Sequence, residues 1–180
     1  GRHVVPGLGV YFLHPSEGNW ELDEIERQIN FVRHHHLAGE AHYRVKFVTG
    51  NTQNLYDALL NDFYAYPALQ PPMTWADSIA PTPPARLSLH QIAEGYTHLQ
   101  WETSTDNDGR NAPTYVVYAS DTSPVDTENP ANIVAIGIRG TEYIYAPILP
   151  WTSRRYFAVT AIDRYGNESA PSATVGRDSD

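Results

Sequence analysis

The chain has 180 residues, 41% of them hydrophobic and 18% charged, and these proportions are typical of a folded protein rather than a disordered one. Its 12 basic and 21 acidic residues give a formal net charge of -9, which argues against nucleic acid as a partner because phosphate binding depends on clustered lysine and arginine. Because the chain has no cysteine, it has no disulfide framework and no thiolate metal site, and both cytoplasm and periplasm are compatible with it.

The sequence holds no run of 18 apolar residues, so we expect no membrane-spanning helix. The chain begins Gly-Arg-His, with neither an initiator methionine nor a signal peptide. We therefore expect it to be a piece of a longer protein, with any export signal or lipid anchor on the missing N-terminal part.

The first sixty or so residues have a strand-helix-strand-helix pattern. The apolar run 3–13 suits a strand buried on both faces, although its proline and glycines weaken it as a central strand. After a loop, Asn19 is a plausible N-cap for a helix, and Gly39 is a plausible C-cap. The apolar stripe of this predicted helix is Leu22, Ile25, Ile29 and Val32.

A second strand is predicted over 40–48, where polar and apolar residues alternate. Asn51 can then cap a second helix that ends before Pro67 and whose stripe is Leu55, Leu59, Phe63 and Tyr66. Two such units predict parallel strands with right-handed crossovers, and two strands alone cannot enclose a core. Further strands are therefore expected from elsewhere.

Residues 69–85 are dense in proline and predict a stiff, extended linker rather than a packed element. Period-two alternation beyond it predicts the strands of an all-β sandwich, separated by polar turn clusters such as TDNDGRNAP. The predicted strands are 86–92, 96–102, 114–120, 133–138, 142–148, 155–163 and a last strand near Ala173.

The sandwich residues resemble a fibronectin type III domain over about 83–176. The resemblance is carried by Leu99 and Trp101 in THLQWET, Tyr115 and Val117 in TYVVYAS, and the ending AIDRYGNESAPS. It implies a two-sheet sandwich with Phe157 in its core. In the type III pattern a tyrosine stands two residues before Phe157, but here that residue is Arg155, so either Tyr156 replaces it through a bulge or the tyrosine corner is absent.

The whole chain resembles the C-terminal end of the glycosyl-hydrolase-like family ten. The segments that carry the resemblance are GLGVYFL, EIERQI, HLAGEAHYRVKF, NLYDALLNDFY and YPALQPPM, followed by the type III module. Members of that family are (β/α)8 barrels of bacterial cell envelopes, so the resemblance implies that 3–66 are the last two barrel units. It also implies a glycan substrate, such as the sugar strands of peptidoglycan.

The second predicted strand places Glu40, His42 and Arg44 on one face, and barrel strands direct their carboxyl ends toward the active site. These side chains are candidates for binding a sugar hydroxyl or a carboxylate, or they form a buried polar layer that pairs internally. Tyr11, with its neighbour His14, and Trp20 follow the first strand and could stack on sugar faces; alternatively, Trp20 only anchors the helix start.

Several other kinds of site are not supported. His34, His35 and His36 are consecutive, so on a helix they diverge and cannot converge on one metal ion. No convincing pair of carboxylates for glycoside hydrolysis is present, since Glu17 lies in a loop, and the resemblance implies catalytic carboxylates on earlier strands. We predict no catalytic residue, no metal and no cofactor in this chain; the sequon at Asn167 lies in a turn and does not identify a compartment.

The predicted fold is α/β plus all-β: two βα units of an incomplete (β/α)8 barrel in residues 1–68, a linker in 69–85 and a type III sandwich in 86–180. The predicted function is the C-terminal fragment of a secreted or envelope glycoside hydrolase, inactive by itself. The alternative is a non-catalytic module that binds carbohydrate or protein, or acts as a spacer. Expected partners are a glycan strand, reached through the intact protein, and either the rest of the barrel or a second copy, which would cover the N-terminal piece. The predicted location is outside the cytoplasm.

Overall fold

The computed structural model describes residues 2–93, 96–107, 109, 112–147 and 154–177 of the chain. The chain divides into two compact units, Gly1–Ala65 and Tyr66–Asp180. Among the described residues, no helix combines the length and the apolar character that crossing a membrane requires.

In the first unit, two very short strands pair in parallel, β1 (Gly7–Leu8) with β2 (Ala41–His42). The longer strands predicted over 3–13 and 40–48 are wrong. After β1 the chain forms a 3₁₀ turn, Val10–Leu13, and after β2 it forms the helix α2, Val45–Thr49. In both places the backbone amides bond to carbonyls three or four residues earlier in the chain and not to a neighbouring strand. Examples are Phe12 N to Gly9 O and Phe47 N to Arg44 O, each 3.0 Å.

Helix α1 spans Leu22–His34 and buries Ile25, Ile29 and Val32, as its apolar spacing predicts. The predicted caps are wrong. The residue before the helix is Glu21. Asn19 lies in the preceding loop, where its backbone amide bonds to the His14 carbonyl. The helix ends in a Schellman motif, in which left-handed His36 (φ 51°) lets the Leu37 amide bond to the Val32 carbonyl at 3.1 Å.

The last helix of the first unit is α3, Leu55–Ala58, which continues as a π-helical turn, Leu59–Phe63. Leu55 and Leu59 are buried as predicted, whereas Tyr66 lies beyond the element. Asn51 does cap this helix from a distance, because its Oδ1 accepts the backbone amides of Tyr56 and Asp57. The buried core of the unit is formed by Leu8, Val10, Leu13, Ile25, Ile29, Phe47, Leu55 and Leu59.

The second unit is a β-sandwich whose strands match the sequence prediction closely. They are β3 (Ala85–Ala93), β4 (Tyr96–Glu102), β5 (Thr114–Ser120), β6 (Ile133–Ile138), β7 (Glu142–Tyr145), β8 (Tyr156–Ile162) and β9 (Val175–Gly176). One sheet has the order β3-β4-β7 and the other β6-β5-β8-β9, with every pairing antiparallel. The prediction that β7 reaches residue 148 falls partly outside the described residues.

The predicted sandwich core is confirmed. Trp101 is 5% exposed and packs edge-on against Tyr115, with ring centroids 5.3 Å apart. Tyr145 packs in the same way against Phe157, at 5.1 Å. The members of this core are Leu87, Leu99, Trp101, Tyr115, Val117, Ala119, Tyr145, Phe157, Val159 and Ala161.

A tyrosine hydroxyl does close the corner before β8, although it comes from an unexpected strand. The hydroxyl of Tyr145, at the end of β7, accepts the backbone amide of Arg154 at 3.0 Å. The bond therefore links the end of β7 to the start of β8. In a tyrosine corner the tyrosine belongs to the later strand and bonds back to upstream backbone, whereas here it belongs to the earlier strand and bonds to downstream backbone. The type III pattern places its tyrosine near Phe157, whereas here the ring belongs to the preceding strand.

The outer face of the four-stranded sheet is also covered, in a second cluster around Val116, Tyr118, Val125 and Ala158, and partly buried Leu69 packs on it. The carboxylate of Glu168 accepts hydrogen bonds from the hydroxyls of Tyr118 and Thr160, both at 2.6 Å. This bonding satisfies polar groups that would otherwise be buried unpaired.

The proline-rich stretch packs on the sandwich, so the prediction of an unpacked linker is wrong. The Met73 amide bonds to the Tyr165 carbonyl at 2.7 Å, and the Asn167 side-chain amide bonds to the Asp77 carbonyl at 3.1 Å. Gly166 (φ 85°) lies so close that a Cβ there would be 3.2 Å from the Gln70 carbonyl oxygen. Because Asn167 is buried and its amide is engaged, the sequon is closed to glycosylation in the folded state.

Candidate functional site

The candidate site of the first unit lies on the side where β1 and β2 end, here called the carboxyl edge. The Ala38 amide bonds to the Val4 carbonyl at 3.1 Å, so the chain returns from α1 at the amino end of β1. Both strands therefore end on the opposite side, where the Tyr11 amide bonds to the Tyr43 carbonyl at 3.3 Å. Open α/β sheets bind ligands at this edge.

The Arg44 cluster consists of Arg44, Tyr11, Tyr43, Phe47 and Glu17. The guanidinium of Arg44 lies over the three rings, 5.7, 5.7 and 5.4 Å from the centroids of Tyr11, Tyr43 and Phe47. Its Nη2 donates to Oε1 of Glu17 at 3.1 Å. Such contacts orient a guanidinium.

The cluster is half open to solvent. The side chains of Arg44 and Glu17 are 38% and 37% exposed, and Tyr43 is 62% exposed, whereas Phe47 forms a buried base. Nε of Arg44 is buried and has no hydrogen-bond partner among the described residues. The surface thus presents flat aromatic area beside one donor group and one acceptor group.

The loop that carries Glu17 is held by contacts from three sides. The Gln53 side-chain amide donates to the carbonyls of Leu13 and Trp20, both at 2.8 Å. The Trp20 ring lies against Phe12, with centroids 4.5 Å apart, and Gly18 is so close to Phe12 that a Cβ would clash at 2.6 Å. Trp20 therefore supports the loop, and its role in substrate binding stays a prediction.

His14 lies beside the cluster, with its ring centroid 5.9 Å from that of Phe47. Its Nδ1 accepts the backbone amide of Ser16 at 3.2 Å. The same Nδ1 lies 2.8 Å from the Ser16 hydroxyl oxygen, so Ser16 holds the His14 ring from two groups.

Glu40 and His42 do not lie with Arg44, so the prediction of one shared face is wrong. The Tyr64 hydroxyl donates to the Glu40 carboxylate, and the rings of His42 and Tyr64 are 6.2 Å apart. Burial lowers the pKa of His42, against the opposing effect of the Glu40 carboxylate, and burial with the bond to Glu40 raises the pKa of Tyr64. The reason for the separation is that β2 ends at His42, after which the chain turns into α2 and the period of two is lost.

Within the part of the chain that the structure describes, no three histidine, aspartate or glutamate side chains lie close enough to hold a metal ion together. In the histidine run, the rings of His34 and His35 meet edge-on at 5.2 Å, and His35 packs on Phe31.

Sequence reasoning missed Tyr43, Phe47 and Gln53 as parts of the site. Tyr43 and Phe47 looked like the apolar face of a long strand, opposite Arg44. No local spacing signalled the pair, because Tyr43 precedes α2, the Arg44 backbone is extended, and only Phe47 lies within the helix.

Fold and site together define a βα unit with a polar and aromatic carboxyl edge, joined in one chain to a β-sandwich with the sheet order of a fibronectin type III domain. No protein-family model matches the chain. It is 30% identical over 96 residues to the glycosyl hydrolase YngK of Bacillus subtilis (strain 168), an alignment that covers 52% of this chain and 19% of YngK. The chain thus spans about a fifth of the length of this curated relative.

Solved structures of two kinds are similar to the chain. The fibronectin type III domain of human fibronectin type III domain containing protein 3 is 21% identical, with 54% of this chain and 84% of that one covered and a TM-score of 0.39. Chitinase ChiA74 from Bacillus thuringiensis is 18% identical, with 86% and 23% covered and a TM-score of 0.33. The sandwich assignment rests on the observed strand order, and assignment to family ten has no support from these relatives.

Proposed function

We propose that the first unit is the end of a glycoside hydrolase barrel and that its carboxyl edge contributes a sugar-binding surface to the intact enzyme. The observation that carries the proposal is the Arg44 cluster, which stands at the ligand-binding edge of a chain similar to a glycosyl hydrolase. The second unit is then an accessory sandwich. The parent enzyme would act on a glycan outside the cytoplasm of a bacterium.

Two features of the first unit support an incomplete barrel. Its sheet has two parallel strands, each with an outer edge that pairs with no strand among the described residues, and parallel sheets are normally larger and covered on both faces. Its surface also carries large exposed apolar side chains: Val4, Val5, Phe31, Val45 and Leu60. Further strands and helices of the same parent chain would pair with these edges and cover these side chains.

The chemistry of the Arg44 cluster suits a sugar. Aromatic rings offer flat apolar area to the C–H face of a pyranose, and hydroxyl groups can both donate to Glu17 and accept from Arg44. The Arg44 guanidinium is already oriented by three rings and the Glu17 loop by Gln53, so little side-chain freedom would be lost on binding.

Glycoside hydrolysis needs two carboxylates at a suitable separation. Glu17 is engaged by Arg44, and Glu40 lies with Tyr64 away from the cluster. We therefore place the catalytic carboxylates on other strands of the parent barrel, so this chain should bind glycan without cleaving it.

The experiment is a titration of the 180-residue chain with chitotetraose, monitored by two-dimensional NMR. A hydrolysis assay of the chain and of the parent protein accompanies it. We expect shifts confined to the Arg44 cluster, loss of binding in Arg44→Ala, no turnover by the chain and turnover by the parent. Arg27→Ala, an exposed arginine on α1, is the matched control. Shifts confined to the sandwich, with an inactive parent, would instead favour the alternative of a non-catalytic binding module.

That alternative rests on one observation, the completeness of the second unit. The sandwich has its own core and its proline-rich stretch is packed on it. A domain of this kind can act as a spacer or contact a polysaccharide without any barrel.

A further inference from the structure

We propose that Glu17 makes the Arg44 cluster selective for neutral sugar residues and that it disfavours residues carrying a carboxylate. The inference rests on the proposed function and specifies the substrate class of the same surface. Glu17 is then a specificity-determining residue, not a catalytic one.

The first argument is that the positive charge of Arg44 is already balanced. Its Nη2 is paired with Glu17 at 3.1 Å, and its Cζ lies within 6 Å of three ring centroids, whose π faces also interact with the cation. Arginine sites that select carboxylates present an unoccupied two-pronged donor. Here Nη2 is already paired with Glu17, so an incoming carboxylate would either displace the Glu17 side chain or bind beside its negative charge at an electrostatic cost.

The second argument is the sign of the surrounding charge. The loop that carries Glu17 leads directly into α1, which starts at the same carboxyl edge, with Glu21 as its N-cap and Asp23 and Glu24 in its first turn. Lys46 is a nearby cation, but it lies over the Phe47 ring at 4.7 Å, and Glu24 is paired with Arg27. The carboxylates named here outnumber the lysine and arginine groups and offset the partial positive charge of the α1 N-terminus, which disfavours an anionic ligand.

The third argument is that the pair still offers what a neutral sugar needs. Glu17 uses Oε1 for Arg44, which leaves Oε2 to accept a hydroxyl proton, and Arg44 retains donors beyond Nη2. A hydroxyl both donates and accepts, so it can use this mixed set, whereas a carboxylate can only accept.

The test compares two ligands that share a β-1,4-linked N-acetylhexosamine backbone. One is chitotetraose, which is neutral, and the other is the alternating tetrasaccharide of N-acetylglucosamine and N-acetylmuramic acid with its lactyl carboxylates free. Dissociation constants are measured by NMR titration of the 180-residue chain, of Glu17→Gln and of the control Glu26→Gln. The control removes one negative charge from the middle of α1, outside the cluster.

We expect the wild-type chain to bind the neutral ligand about tenfold more tightly than the acidic one, which is the scale of one unscreened surface charge at close range. Glu17→Gln should reduce that ratio to about two- to threefold or less by improving binding of the acidic ligand, and Glu26→Gln should leave it unchanged. In the wild-type chain alone, added salt should reduce the ratio as well, which keeps the test valid if Glu17→Gln does not fold.

Equal or tighter binding of the acidic ligand by the wild-type chain, or a ratio that neither Glu17→Gln nor salt changes, would overturn the inference and leave the proposed function standing. If neither ligand shifts the resonances of Tyr11 and Tyr43, the proposed function itself fails.

Discussion

The proline-rich stretch offers the sharpest test of the fold, because its packing on the sandwich is a contact that the sequence did not predict. The perturbation is its removal: residues 66–180 are compared with 85–180, which keeps all of β3, and both fragments lack the first unit. The longer fragment contains the bonds from the Met73 amide to Tyr165 O and from the Thr82 amide to Thr105 O, at 2.7 and 2.9 Å, besides the contact of Asp77 with Asn167.

The magnitude follows from what is lost. Each of these hydrogen bonds contributes about 0.5–1.5 kcal/mol net, and the partial burial of Leu69 adds about 1 kcal/mol. Ordering the segment opposes these gains, though less than for an ordinary chain because proline restricts the unfolded state as well. We expect the shorter fragment to be less stable by about 2–4 kcal/mol, measured by urea unfolding followed by far-ultraviolet circular dichroism.

A substitution at Gly166 separates this contact from nonspecific effects of shortening the chain. In Gly166→Ala, the positive φ is costly in both fragments, but the new Cβ meets Gln70 O and Pro72 Cα, each at 3.2 Å, only when the stretch is present. The substitution should therefore cost more in the longer fragment, by about 1 kcal/mol or more. Equal stabilities of the two fragments, together with equal costs of Gly166→Ala, would refute the packed stretch.

Three further outcomes are expected. Trp101→Ala should destabilise the sandwich by about 3–5 kcal/mol in denaturant unfolding, because it empties a buried space beside Tyr115; a cost below about 1 kcal/mol would contradict the core assignment. Tyr145→Phe should cost about 0.5–1.5 kcal/mol, because the partly buried amide of Arg154 loses its acceptor, and an unchanged unfolding midpoint would show that the corner does not need the hydroxyl. Burial, and then the bond to the Glu168 carboxylate, raise the pKa of Tyr118 above its ordinary 10.0, so the unfolded tyrosine ionises first; its stabilising contribution is complete below pH 10.0 and is lost as pH rises further. Tyr118→Phe should flatten that alkaline loss of stability in a pH series of urea titrations, and a loss of the same size in the variant would assign it to other groups.

The sandwich strands could be predicted almost residue by residue, because antiparallel strands are local. Each one is bounded by its own turn cluster, and a period of two tells which side chains face the core. Leu99, Trp101, Tyr115 and Phe157 are buried as that pattern predicts. Even there, the hydrogen bond between the Tyr145 hydroxyl and the Arg154 amide could not be predicted, because an alternating pattern indicates which side chains are buried but not which group a polar atom bonds to.

The first unit was predicted less well because a parallel strand is only as long as its neighbours allow. The helix stripe of Ile25, Ile29 and Val32 is a property of one segment, and it was confirmed. The lengths of β1 and β2 depend on pairing between segments more than thirty residues apart, and the ladder ends after two residues. That early end is what separates Glu40 from Arg44 and brings Arg44 to Tyr11, Phe47 and Glu17.

The sequence by itself therefore determined the strands and core of the sandwich and the apolar face of α1. Each of these depends on spacing within one segment. Tertiary structure alone decided where the proline-rich stretch packs and which residues surround Arg44. Both depend on contacts between residues far apart in the chain, such as Asp77 with Asn167 and Glu17 with Arg44, and no local pattern encodes which distant group will meet a given side chain.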